Sequence, residues 1–426
     1  MNVVFIVLDT VRRDRLSPYN SSIEFTPNIE ELADECMVYT QAVAQAPWTL
    51  PSHGSMFTGS YPWEHGATQK KLYLDTDQEL LAERFREEGY RTACYSANPW
   101  ISNYTGLSDG FDDVRNYMVL SNNPFIEKIG RKLQKLGIGR HPVLSKIFDL
   151  GKKLGWRNTS NDPESATDQI IEDSQDFIQD AKDSDDDFFL FINLMDAPGI
   201  DPDDVCRDPK KYETGEAEPD FEALSKLYNA EIDYLDDRVG DLVTTLRDQE
   251  LLDDTVIVVA SDHGENLGEE GRFGHQFSVS EALVHVPLLV RHPDREASRI
   301  DDQVELRQLY NLIPAHAGID DMDNPETEYA LGGYAYPEFD LQKLPERVHE
   351  RLGKELRFVR TRDRKLVRSR NGEKDYTMHD LVNETTIKPE DDFIDRVESM
   401  GKAESGRKLE DRDEKVKKRL RDLGYM

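Results

Sequence analysis

The amino-acid sequence predicts an α/β fold in which a largely parallel sheet is covered by helices on both faces. Three observations carry this expectation. The apolar runs Val3–Leu8, Phe188–Leu194, Val256–Ser261 and Val286–Arg291 have the unbroken β-branched and aromatic character of strands buried on both sides. Segments with helical spacing separate them, as alternating strand and helix units require. Two of the runs end in polar residues, Asp9 and Asp262-His263, at the carboxyl ends where such sheets place their ligands.

The elements follow in order. Val3–Leu8 opens the chain and stops at Asp9. Thr26–Cys36 places Thr before Pro27 with acidic residues early, which predicts a helix capped by Thr26. In Ala46–Gly59, Thr49 stands just ahead of a proline that suits a first helical turn, and Gly59 closes the segment. Leu80–Glu88 reads as a helix ended by Gly89, and Thr92–Tyr95 as a strand. From Pro99 to about Asp187 regularity fades. Within it, Ile126–Arg157 holds nine basic residues against two acidic ones, Glu127 and Asp149. Ile126, Ile129, Leu133 and Leu136 make its start a basic amphipathic helix. A solvated helical insertion, a lid that attracts an anionic substrate and a membrane-surface patch all fit that stretch.

Regularity returns with Phe188–Leu194. Phe221–Gln249 reads as a long helix, with apolar residues at Leu224, Leu227, Tyr228, Ile232, Leu235, Val239, Leu242 and Leu246. Val256–Ser261 runs into Asp262-His263-Gly264, and the strand Val286–Arg291 precedes a helix over Leu306–Ala317. Leu356–Thr361 and Lys365–Arg370 form a hairpin pair, Tyr376–Leu381 adds a strand, and Glu404–Arg421 is a charge-laced helix. The expected organisation is a catalytic core over 1–328, with a basic helical insertion at about 100–187, and a small C-terminal α+β subdomain over 329–426.

Composition narrows the setting. Net charge is −32, from 85 acidic against 53 basic side chains. Such an excess keeps a chain soluble, makes it repel itself, and argues against nucleic-acid binding. A salt-rich cytoplasm screens that repulsion, so a halophilic source is expected. Cys36, Cys94 and Cys206 lack metal-type spacing and read as buried thiols of a reducing compartment. Val3–Leu8 is too short for a membrane span and has no basic leader. The expectation is a cytoplasmic protein without a transmembrane segment.

The chemistry lies at two strand ends and one helix start. Asp9, Asp262 and His263 offer carboxylate oxygens and an imidazole nitrogen that suit Mn²⁺, Zn²⁺ or Mg²⁺, and the Thr49 hydroxyl completes the sphere. A bound cation lowers the pKa of that hydroxyl, which is otherwise a poor nucleophile at neutral pH. The helix start beside Thr49 attracts an anion.

These pieces in this order resemble the sulfatase family of the alkaline phosphatase superfamily: Asp9 after a buried strand, Thr49-Leu-Pro-Ser-His with Thr58-Gly59, and Ser261-Asp-His-Gly-Glu-Asn-Leu-Gly-Glu-Glu-Gly-Arg-Phe-Gly-His275. Leu227–Asp236 and Val286–Val290 are similar to its framework segments. The likeness covers roughly residues 1–320. It implies a doubly wound core and a divalent cation, with Ca²⁺ among the candidates. It assigns the metal to Asp9, Asp262 and His263 and the nucleophile to Thr49. His275 falls where relatives hold a substrate oxygen or a second metal, His53 replaces the signature arginine as an anion-binding residue, and Asn98 follows a strand near where relatives place a substrate-binding lysine.

The departures shape the functional expectation. Relatives convert a cysteine or serine to formylglycine; Thr49 and His53 rule that conversion out here. Thr at this place resembles the phosphoethanolamine transferases and lipoteichoic acid synthases, which form a phospho-threonine. Thr10 stands where a second acidic ligand is usual, and Pro198 where relatives present a histidine. The expected activity is metal-dependent hydrolysis of sulfate or phosphate mono- or diesters through a covalent intermediate on Thr49. The substrate is expected to be a sulfated or phosphorylated glycan, lipid or small molecule. A transferase acting on a glycan or lipid hydroxyl, and a homologue that binds an anion or metal without turnover, are the alternatives.

Overall fold

The structure is a computed structural model that describes residues 1–117, 163–195 and 220–401, apart from 75, 322–323, 336–340, 343, 345, 347–348 and 372, together with Val416. The basic stretch Ile126–Arg157, Pro198, Cys206 and the Glu404–Arg421 helix, Val416 aside, lie outside the described residues.

Ten strands belong to the larger unit. They are β1 (Asn2–Leu8), β2 (Cys36–Val43), β3 (Arg91–Ser96), β4 (Asp113–Asn116), β5 (Phe188–Leu194), β6 (Thr255–Ala260), the short β7 (Asn266–Leu267) and β8 (Phe273–Gly274), β9 (His285–Arg291) and β10 (Ser298–Glu305). Eight of them form one sheet in the order β10-β2-β9-β6-β1-β5-β3-β4. All neighbours pair in parallel except at β9, which is antiparallel to both β2 and β6. The expected sheet is therefore present. Val286–Arg291 is its one reversed strand, a direction that its apolar run could not report, because burial on both faces looks the same whichever way the chain travels.

Alternation along β1 divides the interior. Val3, Phe5 and Val7 face one core, shared with the helices Thr49–Thr58, Leu81–Glu87 and Leu309–His316. Val4, Ile6 and Leu8 face the other, closed by the helices Pro27–Ala33, Pro163–Ser184 and Phe221–Asp248. Every residue of β1 is buried, as a central strand covered on both sides requires. The stretch 100–187, read as an insertion, contains two elements of this architecture: the edge strand β4 and the 22-residue helix Pro163–Ser184, whose Ile170, Ile171, Ile178 and Ala181 line the second core. Among the described residues no helix is long and apolar enough to cross a membrane.

Thr26 precedes the helix Pro27–Ala33 but does not cap it. Its Oγ1 accepts from the Ser17 N–H at 2.9 Å. The free N–H groups of Asn28 and Ile29 go instead to the buried Asp236 carboxylate, at 2.9 and 2.7 Å. A cap supplied by a distant helix satisfies the same orphan donors and ties the two helices together.

A separate antiparallel sheet follows: β11 (Ala330–Tyr334), β12 (Glu355–Arg360), β13 (Arg364–Asn371), β14 (Glu373–Asp380) and β15 (Thr385–Ile387), in that order. Val359, Leu366 and Met378 pack against Phe393 and Val397 of the helix Asp391–Ser399. Two cations pin this sheet to the core. Arg360, 1% exposed, donates to Glu281, Gln303 and Gln41 at 3.0, 2.7 and 2.9 Å. Lys365 reaches Glu281 and the Val279 carbonyl at 2.9 and 2.5 Å. Burial alone would raise the pKa of Glu281, but Lys365, Arg360 and His285 hold it far below its ordinary value of 4.5. A carboxyl depressed in the folded state contributes stability above its unfolded pKa and loses it as pH falls through the folded value. Glu281→Gln is expected to lower stability at pH 7 by about 2–3 kcal/mol, less than for a fully buried pair, and to flatten the decline below pH ~4.5. Urea denaturation at pH 7 and pH 4 measures both; an unchanged midpoint at pH 7 would contradict the pinning role.

Candidate active site

Four adjacent parallel strands, β6, β1, β5 and β3, deliver polar side chains to one edge of the sheet. Asp9 follows β1, Asn193 lies at the end of β5, Asn98 comes two residues after β3, and Asp262-His263 follow β6. The helix Thr49–Thr58 enters from the end of β2, with Thr49 as its first residue and Trp48 at the N-cap. Gly59 ends it in the left-handed region at φ 71° and donates to the Ser55 carbonyl at 2.9 Å.

Asn98 joins the nucleophile candidate to the acidic cluster. Its side-chain amide donates to Asp9 Oδ2 at 2.7 Å and to Thr49 Oγ1 at 3.1 Å. Asn193 donates to the same Asp9 oxygen at 3.1 Å. Across from them, Asp262 Oδ1 accepts from the backbone N–H groups of Thr10 and His263, at 3.2 and 3.0 Å. His263 donates through Nδ1 to the Gly264 carbonyl at 2.9 Å, which turns the Nε2 lone pair toward Asp9 Oδ1 at 3.9 Å and Asp262 Oδ2 at 3.4 Å. Thr10 reaches its position with φ at 63°, and Tyr228 fixes it by donating to its carbonyl at 2.7 Å.

One ligand atom from each of Asp9, Asp262 and His263 lies within 4.8 Å of the others, and all three side chains are buried. Among the described residues, Asp262 Oδ2 and His263 Nε2 have no hydrogen-bond partner. Buried polar atoms left unpaired are costly, so two of them converging on one point fit a divalent cation bound by two carboxylates and an imidazole. Burial pushes both Asp9 and Asp262 well above the usual carboxylate range, and the charge of Asp262 adds to the effect on Asp9. Burial also lowers His263, to about 4, which keeps the imidazole neutral as a ligand must be.

The two other histidines differ from each other. His275 lies beside His263 with ring centroids 4.8 Å apart and planes tilted by 45°, and its Nδ1 is 3.2 Å from Glu265. Burial would depress its pKa, but the hydrogen bond and charge of Glu265, with Asp9 and Asp262, outweigh burial and raise it. His53 is fully buried, donates to the Thr49 carbonyl at 3.0 Å, and packs edge-on against Phe57 and Phe191. Burial lowers its pKa to about 3, so at neutral pH it brings no positive charge to an anion, unlike the arginine whose place it takes.

All seven residues singled out in the sequence, Asp9, Thr49, His53, Asn98, Asp262, His263 and His275, converge on this region. Sequence reasoning missed Asn193, Glu265 and Tyr228, and the part that the Thr10 backbone plays. Asn193 was visible as the lone polar side chain in Phe188–Leu194, and Glu265 sits inside the Asp262–His275 motif. Thr10 and Tyr228 act through backbone geometry, which residue type does not announce.

Gly264 makes the turn possible: a Cβ there would lie 1.9 Å from the Ala282 carbonyl oxygen. Gly264→Ala is therefore expected to cost about 1–3 kcal/mol through forced displacement of the Asp262–Gly264 turn. Chemical denaturation checks this, and stability equal to the parent would contradict the packing described.

Known proteins share this fold. The family model described as Sulfatase matches residues 1–319. The ulvan-active sulfatase of Formosa agariphila is 25% identical over 311 residues, which cover 68% of this chain and 56% of that protein. The chain thus spans little more than half the length of that relative. Among solved structures, a phosphonate monoester hydrolase from Silicibacter pomeroyi superposes with a TM-score of 0.64 at 17% identity, covering 90% of this chain and 89% of that one. A structure in complex with its substrate D-glucosamine-2-N,6-O-disulfate gives a TM-score of 0.63 at 17% identity, covering 99% and 98%. The family model spans most of the chain and contains every candidate site residue, so the chain belongs to the sulfatase family.

Proposed function

We propose that the chain is a metal-dependent hydrolase of sulfate or phosphate mono- and diesters that works through a covalent ester on Thr49. The observation that carries this reading is the Asn98 amide shared between Thr49 Oγ1 and Asp9 Oδ2, which sets the hydroxyl beside the buried Asp9, Asp262 and His263 cluster. Family membership supports ester hydrolysis, and the solved neighbours act on a phosphonate monoester and on a sulfated glucosamine.

Asp9, Asp262 and His263 would hold the cation, with Thr49 completing its sphere. When bound, it supplies charge that lowers the pKa of a nearby hydroxyl and offsets the negative charge of the ester oxygens. The remaining work falls to the chain. Asn98 fixes the direction of Thr49 Oγ1. Thr49, its proton lost to solvent, attacks sulfur or phosphorus in line while the bond to the leaving oxygen breaks. The positive end of the helix Thr49–Thr58 stabilises the equatorial oxygens. His275, held toward its protonated form by Glu265, donates to the leaving oxygen, then accepts a proton from the water that cleaves the Thr49 ester. A second reading, transfer of the group to a glycan or lipid hydroxyl, is favoured by one feature only, the threonine at position 49.

The test is a panel of aryl sulfate, phosphate monoester, phosphodiester and phosphonate monoester, assayed with Mn²⁺, Zn²⁺, Mg²⁺ or Ca²⁺. Thr49→Ala is expected to lower kcat by at least about a thousandfold with the fold intact. Full activity in that variant would end the nucleophile assignment. Asp262→Asn is expected to lose bound metal by elemental analysis, and unchanged metal content would remove Asp262 from the cation site.

A further inference from the structure

Ser96 is the last residue of β3, and its side chain is wholly buried. It stands directly beside Asn193 in the register of β3 and β5. Its hydroxyl donates to Asn193 Oδ1 at 3.1 Å and accepts from the Asn98 backbone N–H at 2.9 Å. The side-chain amides of those two asparagines both end on Asp9 Oδ2, at 3.1 and 2.7 Å. The bonds therefore close a ring, from Asp9 through Asn98, Ser96 and Asn193 and back to Asp9.

The ring has one consistent direction. An ionised carboxylate only accepts, so each amide must turn its nitrogen to Asp9 and its oxygen away. Each buried oxygen then needs a donor of its own. The Asn98 oxygen takes the Trp100 N–H at 2.9 Å. For the Asn193 oxygen, among the described residues, the donor is Ser96. A hydroxyl has a single proton, and the other acceptor near it, the Asn98 carbonyl at 3.5 Å, is served by the Asn116 amide at 2.7 Å. Ser96 thus gives its proton to Asn193. Alanine or valine would fill the end of a buried strand as well, but neither makes this bond.

We infer that Ser96 is a positioning residue for the cation and for the nucleophile. By fixing both amides it fills Asp9 Oδ2 with neutral donors and keeps Oδ1 turned toward His263 Nε2, 3.9 Å away. Through Asn98 the same lock reaches Thr49 Oγ1, 3.1 Å from the amide nitrogen. Ser96 touches neither the ester nor the cation; it acts through Asn193 and Asn98. Partners that orient a ligating carboxylate govern both affinity for the ion and turnover. This inference rests on the ester-hydrolase reading above.

The test measures cation binding apart from turnover. The full chain, stripped with chelator, is titrated calorimetrically with Mn²⁺, Zn²⁺, Mg²⁺ and Ca²⁺, and kcat and KM are then read on an aryl ester with the ion bound. Ser96→Ala is expected to weaken cation binding by about tenfold or more and to lower kcat by about tenfold or more, with KM changed by less than about twofold. Asn193→Ala should give losses of similar size. Because both residues act on one carboxylate, the losses of the double variant should fall short of the product of the single losses by at least about fivefold. Ser96→Ala with the parent's cation affinity and kcat, whether or not its urea midpoint falls, overturns the proposal and leaves the ester reading in place. A double variant whose losses multiply does the same. A parent chain that binds none of the four ions and hydrolyses no ester overturns the two together.

Discussion

The burial of two carboxylates side by side is the constraint on which the rest of the site depends. Asp9 and Asp262 leave adjacent strands at the centre of the sheet, both almost wholly removed from water. Charged groups so placed are costly unless something of opposite sign lies between them. The protein supplies part of the compensation. Asn98 and Asn193 donate to one carboxylate, and the backbone of Thr10 and His263 donates to the other. Among the described residues, these neutral donors leave Asp262 Oδ2 and His263 Nε2 without hydrogen-bond partners. A neutral imidazole turned by the Gly264 carbonyl, facing two carboxylates, has the composition and orientation that a divalent cation fits.

The sheet explains why this arrangement is rigid. Parallel strands β6, β1, β5 and β3 pair along their whole length, so their carboxyl ends are in fixed register. Side chains projecting from these ends inherit that register, and two cores hold the sheet from opposite faces. The helix Thr49–Thr58 is buried throughout, and Ser52 donates to the Asp262 carbonyl at 2.6 Å, which locks the helix start to the strand end. Precision in the position of Thr49 therefore comes from the packing of a whole helix.

Much of this was legible in the sequence, because its signals are ones that burial and position impose. Apolar runs ending in Asp9 and Asp262 announce central strands, and Thr49 ahead of a proline announces a helix start. The hairpin Glu355–Arg360 and Arg364–Asn371 followed from alternation around a charged turn. What escaped depends on direction and partnership. The reversal of β9 leaves no trace in a strand apolar on both faces. Thr26 looked like a cap, yet Asp236, over two hundred residues away, does the capping. The helix Pro163–Ser184 was hidden because acidic residues dilute its apolar face. Burial lowers the pKa of His53, the residue that takes the arginine's place in the motif, to about 3, which residue type alone does not report.

The proposed chemistry turns on Thr49. An unmodified threonine reacts slowly unless its hydroxyl is oriented and its charge is compensated, and the Asn98 bond and the acidic cluster provide the setting for both. The most direct test is mass spectrometry of the enzyme quenched in acid during turnover of an aryl ester. The account predicts a transient sulfate or phosphate group on the peptide containing Thr49, appearing within one turnover and vanishing when substrate is exhausted. Steady turnover with no group on Thr49, or with the group on another residue, would contradict it.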